Sequence, residues 1–375
     1  MIYLDSAATS FLKPPEVTRE MILAVKECAS PGRGLHAPAL AAAERVYACR
    51  EQAAALFHVP DPAQVVFTLN ATHALNIAIR SLTGAGTRVL VSGYEHNAVV
   101  RPLYASRAAV QIVSAPLFDT GGFLDAFSEA VSGVDVAVCT HVSNVFGYRL
   151  PIEEIAEICR RAGVPLIIDA AQSAGIYDMD FQDLGAAFIA MPGHKGLMGP
   201  QGTGLLLCGQ RGVPLMQGGT GSLSAEPGMP EELPDRLEAG TLNVCGIAGL
   251  SAALRFIAGR GIRALRGREE ALAEQLAQGL LSIDGLDVIL PEQPDRTGVI
   301  SVVPREISCE ELAARLGEED IAVRAGLQCA PQAHACAGTL KTGTVRFSVS
   351  PFNTPQEVDT AVWIVRNILK ISYKM

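Results

Sequence analysis

The chain has 375 residues, 49% of them apolar and 18% charged, with a formal net charge of −9. That length supports one large domain and a smaller one with sizeable cores, and the composition is neither disordered nor fibrous. The acidic balance and the lack of a Lys/Arg tract argue against nucleic acid as a main partner, and no apolar run approaches the length of a membrane span. The opening MIYLDSAATS carries Asp5 and no basic region, unlike a signal peptide. Nine cysteines, an odd number scattered through apolar segments, point to free thiols in a reducing cytoplasm.

IYLDSAAT reads as a short strand broken by small residues, and Pro15 or Glu16 opens a helix through VTREMILAVKECA. The Gly/Pro-rich loop SPGRGLHAPAL, with Arg33 and His36, precedes a long helix, AAAERVYACREQAAALF. VVFTL (65–69) is a strand that turns at Asn70-Ala71-Thr72-His73 into the helix ALNIAIRSL. Strands RVLVSG and VQIVSAP flank a helical stretch that begins near His96, and VDVAVCTHVSN is a buried strand ending in Asn144. The helix LPIEEIAEICRRAG leads to two further apolar runs, VPLIID and AAFIAM. The β-α-β alternation from Val65 to Leu207 predicts a largely parallel sheet covered on both faces, an α/β architecture. Residues 213–237 read as a long loop, and GTLNVCGIAGLSAALRFIAGRG returns to helix. After about Gly261, a helix, the strand candidates LDVIL, GVISVVP, IAVRAG and TVRFSVS, and two more helices predict a smaller α+β domain with a mainly antiparallel sheet. The expected division is 15–258 for the large domain, with 1–14 and 259–375 forming the small one.

The chemistry gathers around residues 163–204. VPLIID ends in Asp169, and AAFIAM leads into Pro192-Gly193-His194-Lys195. A carboxylate and an amine thus arrive at the ends of two core strands, where open α/β sheets place ligands. Pyridoxal phosphate (PLP) suits such a pair, since an amine can form a Schiff base with its aldehyde while a carboxylate faces its pyridinium. A helix-capping Asp and a solvated surface Lys fit the same spacing. The strand-turn-helix at Asn70–Thr72 would offer free backbone N–H groups to a phosphate, or Asn70 and Thr72 are plain caps. Cys329, His334 and Cys336 share one stretch without an evident fourth ligand, so no metal site is expected.

In this order, IIDAAQSAG, GHKGLMGPQGTG, EAGTLN and RAGLQCAP followed by TVRFSVSPFNT resemble the class V aminotransferase group of fold-type I PLP enzymes. Within it the chain is most similar to the cysteine desulfurases, and closer to their Suf-type (group II) branch. The resemblance implies a PLP-dependent enzyme that converts L-cysteine to L-alanine and serves iron–sulfur assembly or other sulfur transfer. The alternatives are a selenocysteine lyase, a related aminotransferase, or a scaffold without turnover. It implies Lys195 as the Schiff-base lysine, Asp169 on the pyridine nitrogen with a lowered pKa, Gln172 on the phenolate oxygen, and His96 stacked on the ring and moving protons. Ala71, Thr72 and His194 would bind the phosphate, joined by Thr241 of a neighbouring subunit in a homodimer. Asn144 and Arg346, with Arg324 and His36, would hold the substrate. Cys329 would take the sulfur as a persulfide and pass it to an acceptor protein. The branch's His-His pair before the cysteine is replaced here by Leu327-Gln328, and its phosphate-side serine by Pro192.

Overall fold

The computed structural model describes residues 1–32, 34–113, 115–291 and 296–372. In chain order its strands are β1 Ile2–Tyr3, β2 Val65–Thr68, β3 Arg88–Val91, β4 Ala109–Ile112, β5 Val136–Thr140, β6 Leu166–Asp169, β7 Phe188–Pro192, β8 Gly204–Cys208, β9 Leu286–Ile289, β10 Val299–Pro304, β11 Ile321–Ala322, β12 Arg324–Gly326 and β13 Thr344–Ser348. The helices are α1 Pro15–Glu27, α2 Ala37–Leu56, α3 Ala71–Leu82, α4 Asn97–Ala105, α5 Thr120–Val131, α6 Ile152–Ala162, α7 Phe181–Leu184, α8 Val244–Arg260, α9 Ile262–Leu281, α10 Cys309–Glu318, α11 Pro331–Cys336 and α12 Pro355–Ser372.

Seven strands form the main sheet in the order β2-β8-β7-β6-β5-β3-β4. All neighbouring pairs are parallel except those of β8, which runs against both β2 and β7. Alternate residues of each central strand enter different cores, as a period of two requires. Val136, Val138 and Ile167 face the core that includes α3 and α4, while Ala137, Cys139 and Ile168 face the core that includes α1, α2, α5, α6 and α8. A central strand buried on both faces reads as an unbroken apolar run, which is why VAVCT and LIID carry no polar alternation.

A second sheet, β12-β13-β10-β9, is antiparallel throughout. Its own core combines residues of α9, α10 and α12 with Leu4 from the opposite end of the chain. The chain start is held there by the parallel pair β1-β11 and by a bridge from Asp5 to Ser348.

Four local expectations change. The run VDVAVCTHVSN leaves the sheet at Thr140, because Ser143 and Gly147 close a turn (Ser143 N to Tyr148 O 2.9 Å, Gly147 N to Ser143 O 2.9 Å). IAVRAG splits at Val323 into β11 and β12, which belong to different sheets. Helix α5 was not foreseen from the sequence, where Gly121 and Gly122 weaken its first turn; the Asp119 side chain caps it by accepting from Gly122 N at 2.9 Å. The short α11, after Ala330, also adds to the expected elements.

Candidate active site

Parallel neighbours bring their carboxyl ends to one edge, so β7, β6, β5 and β3 deliver Lys195, Asp169, Asn144 and His96 side by side. One cavity at this edge is lined by Ala71, Thr72, His96, Asn144, Asp169, Gln172, His194 and Lys195. Asp169 ends β6, and its Oδ1 accepts from Ala171 N at 2.9 Å. Burial pushes its carboxyl up, and the Ala171 bond and the Lys195 charge offset part of that. The lowered pKa expected from the sequence is therefore absent in the protein alone, because the cation that was to lower it is not a protein group. Lys195 follows β7 in a turn closed by Met198 N to Lys195 O at 2.8 Å. Its amine has no hydrogen-bond partner among the described residues. Desolvation and the charges of Arg346 and Arg324 bring it down to about 8 against the opposing pull of Asp169. Gly193 lets this turn pack against β8, since a Cβ there would collide with Thr203 Oγ1.

His96 caps α4, its Nδ1 accepting from Ala98 N at 3.0 Å, so the neutral ring carries its proton on Nε2. Burial, then Lys195, Arg324 and Arg101, lower it to about 4. His194 lies with Nδ1 3.0 Å from Thr9 Oγ1 and is lowered to about 4, chiefly by burial. Gln172 Nε2 donates to Ala7 O at 3.0 Å, which leaves its second N–H available. Asn70 caps α3 through His73 N at 2.9 Å, and Ala71 and Thr72 at the start of that helix have no intrahelical acceptor for their N–H groups.

The second sheet closes the site from the other side. Arg346 on β13 is 1% exposed; its Nη1 donates to Asn144 O at 2.9 Å and its Nη2 to Asp5 Oδ1 at 2.8 Å, while its buried Nε has no partner among the described residues. Arg324 stands opposite Arg346 in the β12-β13 register, with its Nη2 3.9 Å from Cys329 Sγ. Cys329 is exposed, and its carbonyl accepts from Asn97 N at 2.7 Å, which fixes its loop against the start of α4 beside His96. The result is a cleft with a reactive-type amine, a buried carboxyl, two guanidinium groups and an accessible thiol around it.

The sequence profile of the aminotransferase class-V family matches residues 2–361. The chain belongs to the class-V aminotransferase family. Among relatives of this class-V aminotransferase, a probable cysteine desulfurase of Methanothermobacter thermautotrophicus is 34% identical over 373 residues, covering 95% of this chain and 92% of the other. One from Vibrio cholerae, also described as a probable cysteine desulfurase, is 32% identical, with 96% and 92% covered. Among solved structures, the apo cysteine desulfurase of Thermococcus onnurineus superposes with a TM-score of 0.91 at 28% identity, covering 98% of this chain and 94% of that one. A cysteine desulfurase from Escherichia coli, solved as an S-sulfonic acid, gives 0.87 at 28% identity, with 99% and 95% covered.

In this class-V aminotransferase the structure gathers Ala71, Thr72, His96, Asn144, Asp169, Gln172, His194 and Lys195 at one cavity, with Arg346, Arg324 and Cys329 around it. Arg324 reaches the Cys329 sulfur, with its Nη2 3.9 Å from Sγ. Two residues are not brought in. His36 is exposed at the start of α2 and does not line the cavity, and Thr241 is exposed in a separate groove with Tyr47 and residues 219–222. Arg33 lies outside the described residues. His334 is committed to Thr339 and Gln328. Three residues escaped the sequence reading. Asp5 is the counter-ion of Arg346, Gln328 anchors the Cys329 loop, and Glu95 is a fully buried carboxyl beside His96, pushed up to about 8 mainly by burial. The only sequence signals were an Asp in a run of small residues and the neighbours of His96 and Cys329.

Proposed function

We propose that this chain is a PLP-dependent cysteine desulfurase that converts L-cysteine to L-alanine and receives the sulfur on Cys329 as a persulfide. The observation that carries the reading is the exposed Cys329 thiol, held at the cleft of Lys195 and Asp169 by the Asn97 N–H and facing the Arg324 guanidinium. The names of the relatives support the same activity.

The residues present fit PLP. Among the described residues, Lys195 is an unpartnered amine, Asp169 is a buried carboxyl with no protein cation in a direct ion pair, and the start of α3 offers two free N–H groups to a phosphate. Gln172 and His96 line the space between them, with Thr72 and His194 at the phosphate end, while Pro192 supplies neither a hydroxyl nor an N–H there. When bound, PLP supplies an aldehyde for an amine and a ring that draws electrons from the carbon bearing that amine.

The chain's own groups then divide the work. Lys195 is substantially neutral from about pH 8 upward and acts as nucleophile and base. His96 holds a proton on Nε2 at the cavity wall. Arg346, prepositioned by Asp5 and Asn144, orients the substrate carboxylate, and the Arg324 guanidinium lies beside the Cys329 sulfur. The Cys329 sulfur, as thiolate, attacks the substrate sulfur. The S–S bond forms, the Cβ–S bond breaks with its electron pair left on carbon, and a proton completes the methyl group of alanine.

The same reading includes a homodimer. Tyr47 is 56% exposed on the groove that also holds Thr241, and Leu35, at 94%, lies in the loop before α2. A second copy would cover these apolar groups, and its Thr241 would then approach the phosphate end of the cavity. Exposure of Cys329 leaves its sulfur open to a thiol of an acceptor protein.

The test is product balance. With L-cysteine and a dithiol reductant, the holoenzyme should release sulfide and L-alanine in equal amounts. Formation of 3-mercaptopyruvate without sulfide, its amino group passed to a 2-oxo acid, would replace the desulfurase with a transaminase.

A further inference from the structure

The loop that carries Cys329 has a conformational demand that the cavity does not explain. Gln328 and Cys329 have φ values of 42° and 60°, two successive non-glycine residues in the left-handed region. Such residues persist only where their surroundings over-determine them.

The Gln328 side chain supplies that constraint. It is 3% exposed, and every hydrogen-bonding position of its amide is used. Its Nε2 donates to Arg324 O at 3.2 Å and to Thr344 O at 3.0 Å. Its Oε1 accepts from His334 Nε2 at 2.9 Å and from Thr344 Oγ1 at 3.3 Å. The two carbonyl acceptors fix which end of the amide is nitrogen. His334 is set in turn by Thr339, whose Oγ1 lies 2.8 Å from Nδ1. One amide therefore ties the loop to β12, β13 and α11. The main chain completes the clamp, since Gln328 O accepts from Asn144 Nδ2 at 2.7 Å and Cys329 O accepts from Asn97 N at 2.7 Å.

We propose that Gln328 is the positioning residue for Cys329, holding the left-handed turn that presents Sγ at the cleft beside Arg324. This rests on the reading of Cys329 as the sulfur acceptor. A carboxylate of the same length accepts but does not donate, so it cannot satisfy the two carbonyls of Arg324 and Thr344. An apolar residue leaves both carbonyls and the His334 donor buried without partners.

The experiment compares the holoenzyme with its Gln328→Met variant, which keeps the side-chain length and removes the amide. Two substrates separate positioning from general damage. L-Cysteine needs the thiol of Cys329, whereas L-cysteine sulfinate expels sulfur dioxide without a capturing thiol. Gln328→Met should lose about tenfold or more in kcat with L-cysteine while keeping sulfinate turnover within about twofold. Backbone hydrogen exchange should rise across residues 324–336 and nowhere else. Thr339→Val, which frees His334, should give a smaller loss of the same kind, and it decides the matter by the same criteria if Gln328→Met does not fold. An equal fall with both substrates, or an L-cysteine rate equal to that of the unmodified chain, would overturn the proposal. If the unmodified holoenzyme released no sulfide, the desulfurase reading itself would fail. The exchange measurement would then still decide whether Gln328 holds this loop: unchanged exchange over 324–336 overturns it.

Discussion

Lys195 shows at the scale of one residue how the site is tuned by opposed charges. Desolvation, Arg346 and Arg324 all disfavour its ammonium form, and Asp169, with a smaller pull from Asp5, favours it. A lysine whose native pKa lies below its free value offers a neutral amine over a wider pH range. Uptake of PLP by the cofactor-free chain, followed by absorbance, should therefore accelerate as pH rises through about 8, well below the ordinary lysine range. His96 and His194, both near 4, stay neutral throughout that window and do not blur the profile. A midpoint near the ordinary lysine value would show that the amine is not desolvated. Arg346 poses the complementary problem of a buried cation whose direct counter-charge is Asp5, which is itself partly exposed. Asp5→Ala should lower stability by about 3 kcal/mol in denaturant unfolding, since one partner of a buried pair is left alone. It should also raise KM, because the guanidinium loses the contact that orients it. Unchanged stability and KM would mean that the Asn144 carbonyl suffices.

Among the elements, the turn from β3 to α4 couples fold and site most tightly. Glu95 Oε1 accepts from Ser92 Oγ at 2.6 Å and from Thr140 N at 2.9 Å, which joins the ends of β3 and β5 directly behind His96. Its native pKa, about 8, lies above the value of a solvated glutamate. The stability it contributes is thus complete below the unfolded-state pKa and is lost as pH rises through about 8. Glu95→Gln keeps the acceptor and cannot ionise. The variant should therefore gain in Tm relative to the unmodified chain as pH goes from about 5 to about 8, and a pH-independent difference would contradict the assignment. β5, β6 and β7 were legible in the sequence because each is an apolar run with Gly, Pro or Asp at its margins, and the ends of β6 and β7 located Asp169 and Lys195. Where the expected strand outran the observed one, as in 141–144, the sequence misled, because His141, Ser143 and Asn144 are buried polar residues and Ser143 closes a turn in place of a ladder. The amide of Gln328 and the carboxylate of Asp5 were not legible as site groups. Asp5 meets Arg346 across a separation of 341 residues, and neither residue lies in a periodic pattern.

In the whole molecule, two sheets with separate cores meet along the carboxyl edge of the larger one, and the cleft between them holds the site. Contacts such as Ser301 Oγ to Val145 O at 2.6 Å and Arg346 Nη1 to Asn144 O fasten this junction. The β-α-β alternation and the later run of strand candidates predicted a largely parallel sheet and a mainly antiparallel one, and that arrangement is what sets the candidate site groups together. Thr241 stays outside the cleft of its own chain, which matters only if a second copy uses it. Mixing a Thr241→Trp chain with a Lys195→Ala chain should restore activity that neither has alone, because each heterodimer regains one site with both residues intact. Heterodimers that form without rescue would remove Thr241 from the site.

Whether Cys329 receives the sulfur is decided by turning over L-cysteine without reductant and mapping the cysteine-containing peptides by mass spectrometry. One added sulfur atom is expected on the peptide bearing Cys329. Cys329→Ala should release no sulfide from L-cysteine yet still form alanine from L-cysteine sulfinate, while Cys336→Ala keeps both reactions. Full sulfide release by Cys329→Ala, or the added sulfur on Cys336, would contradict Cys329 as the acceptor.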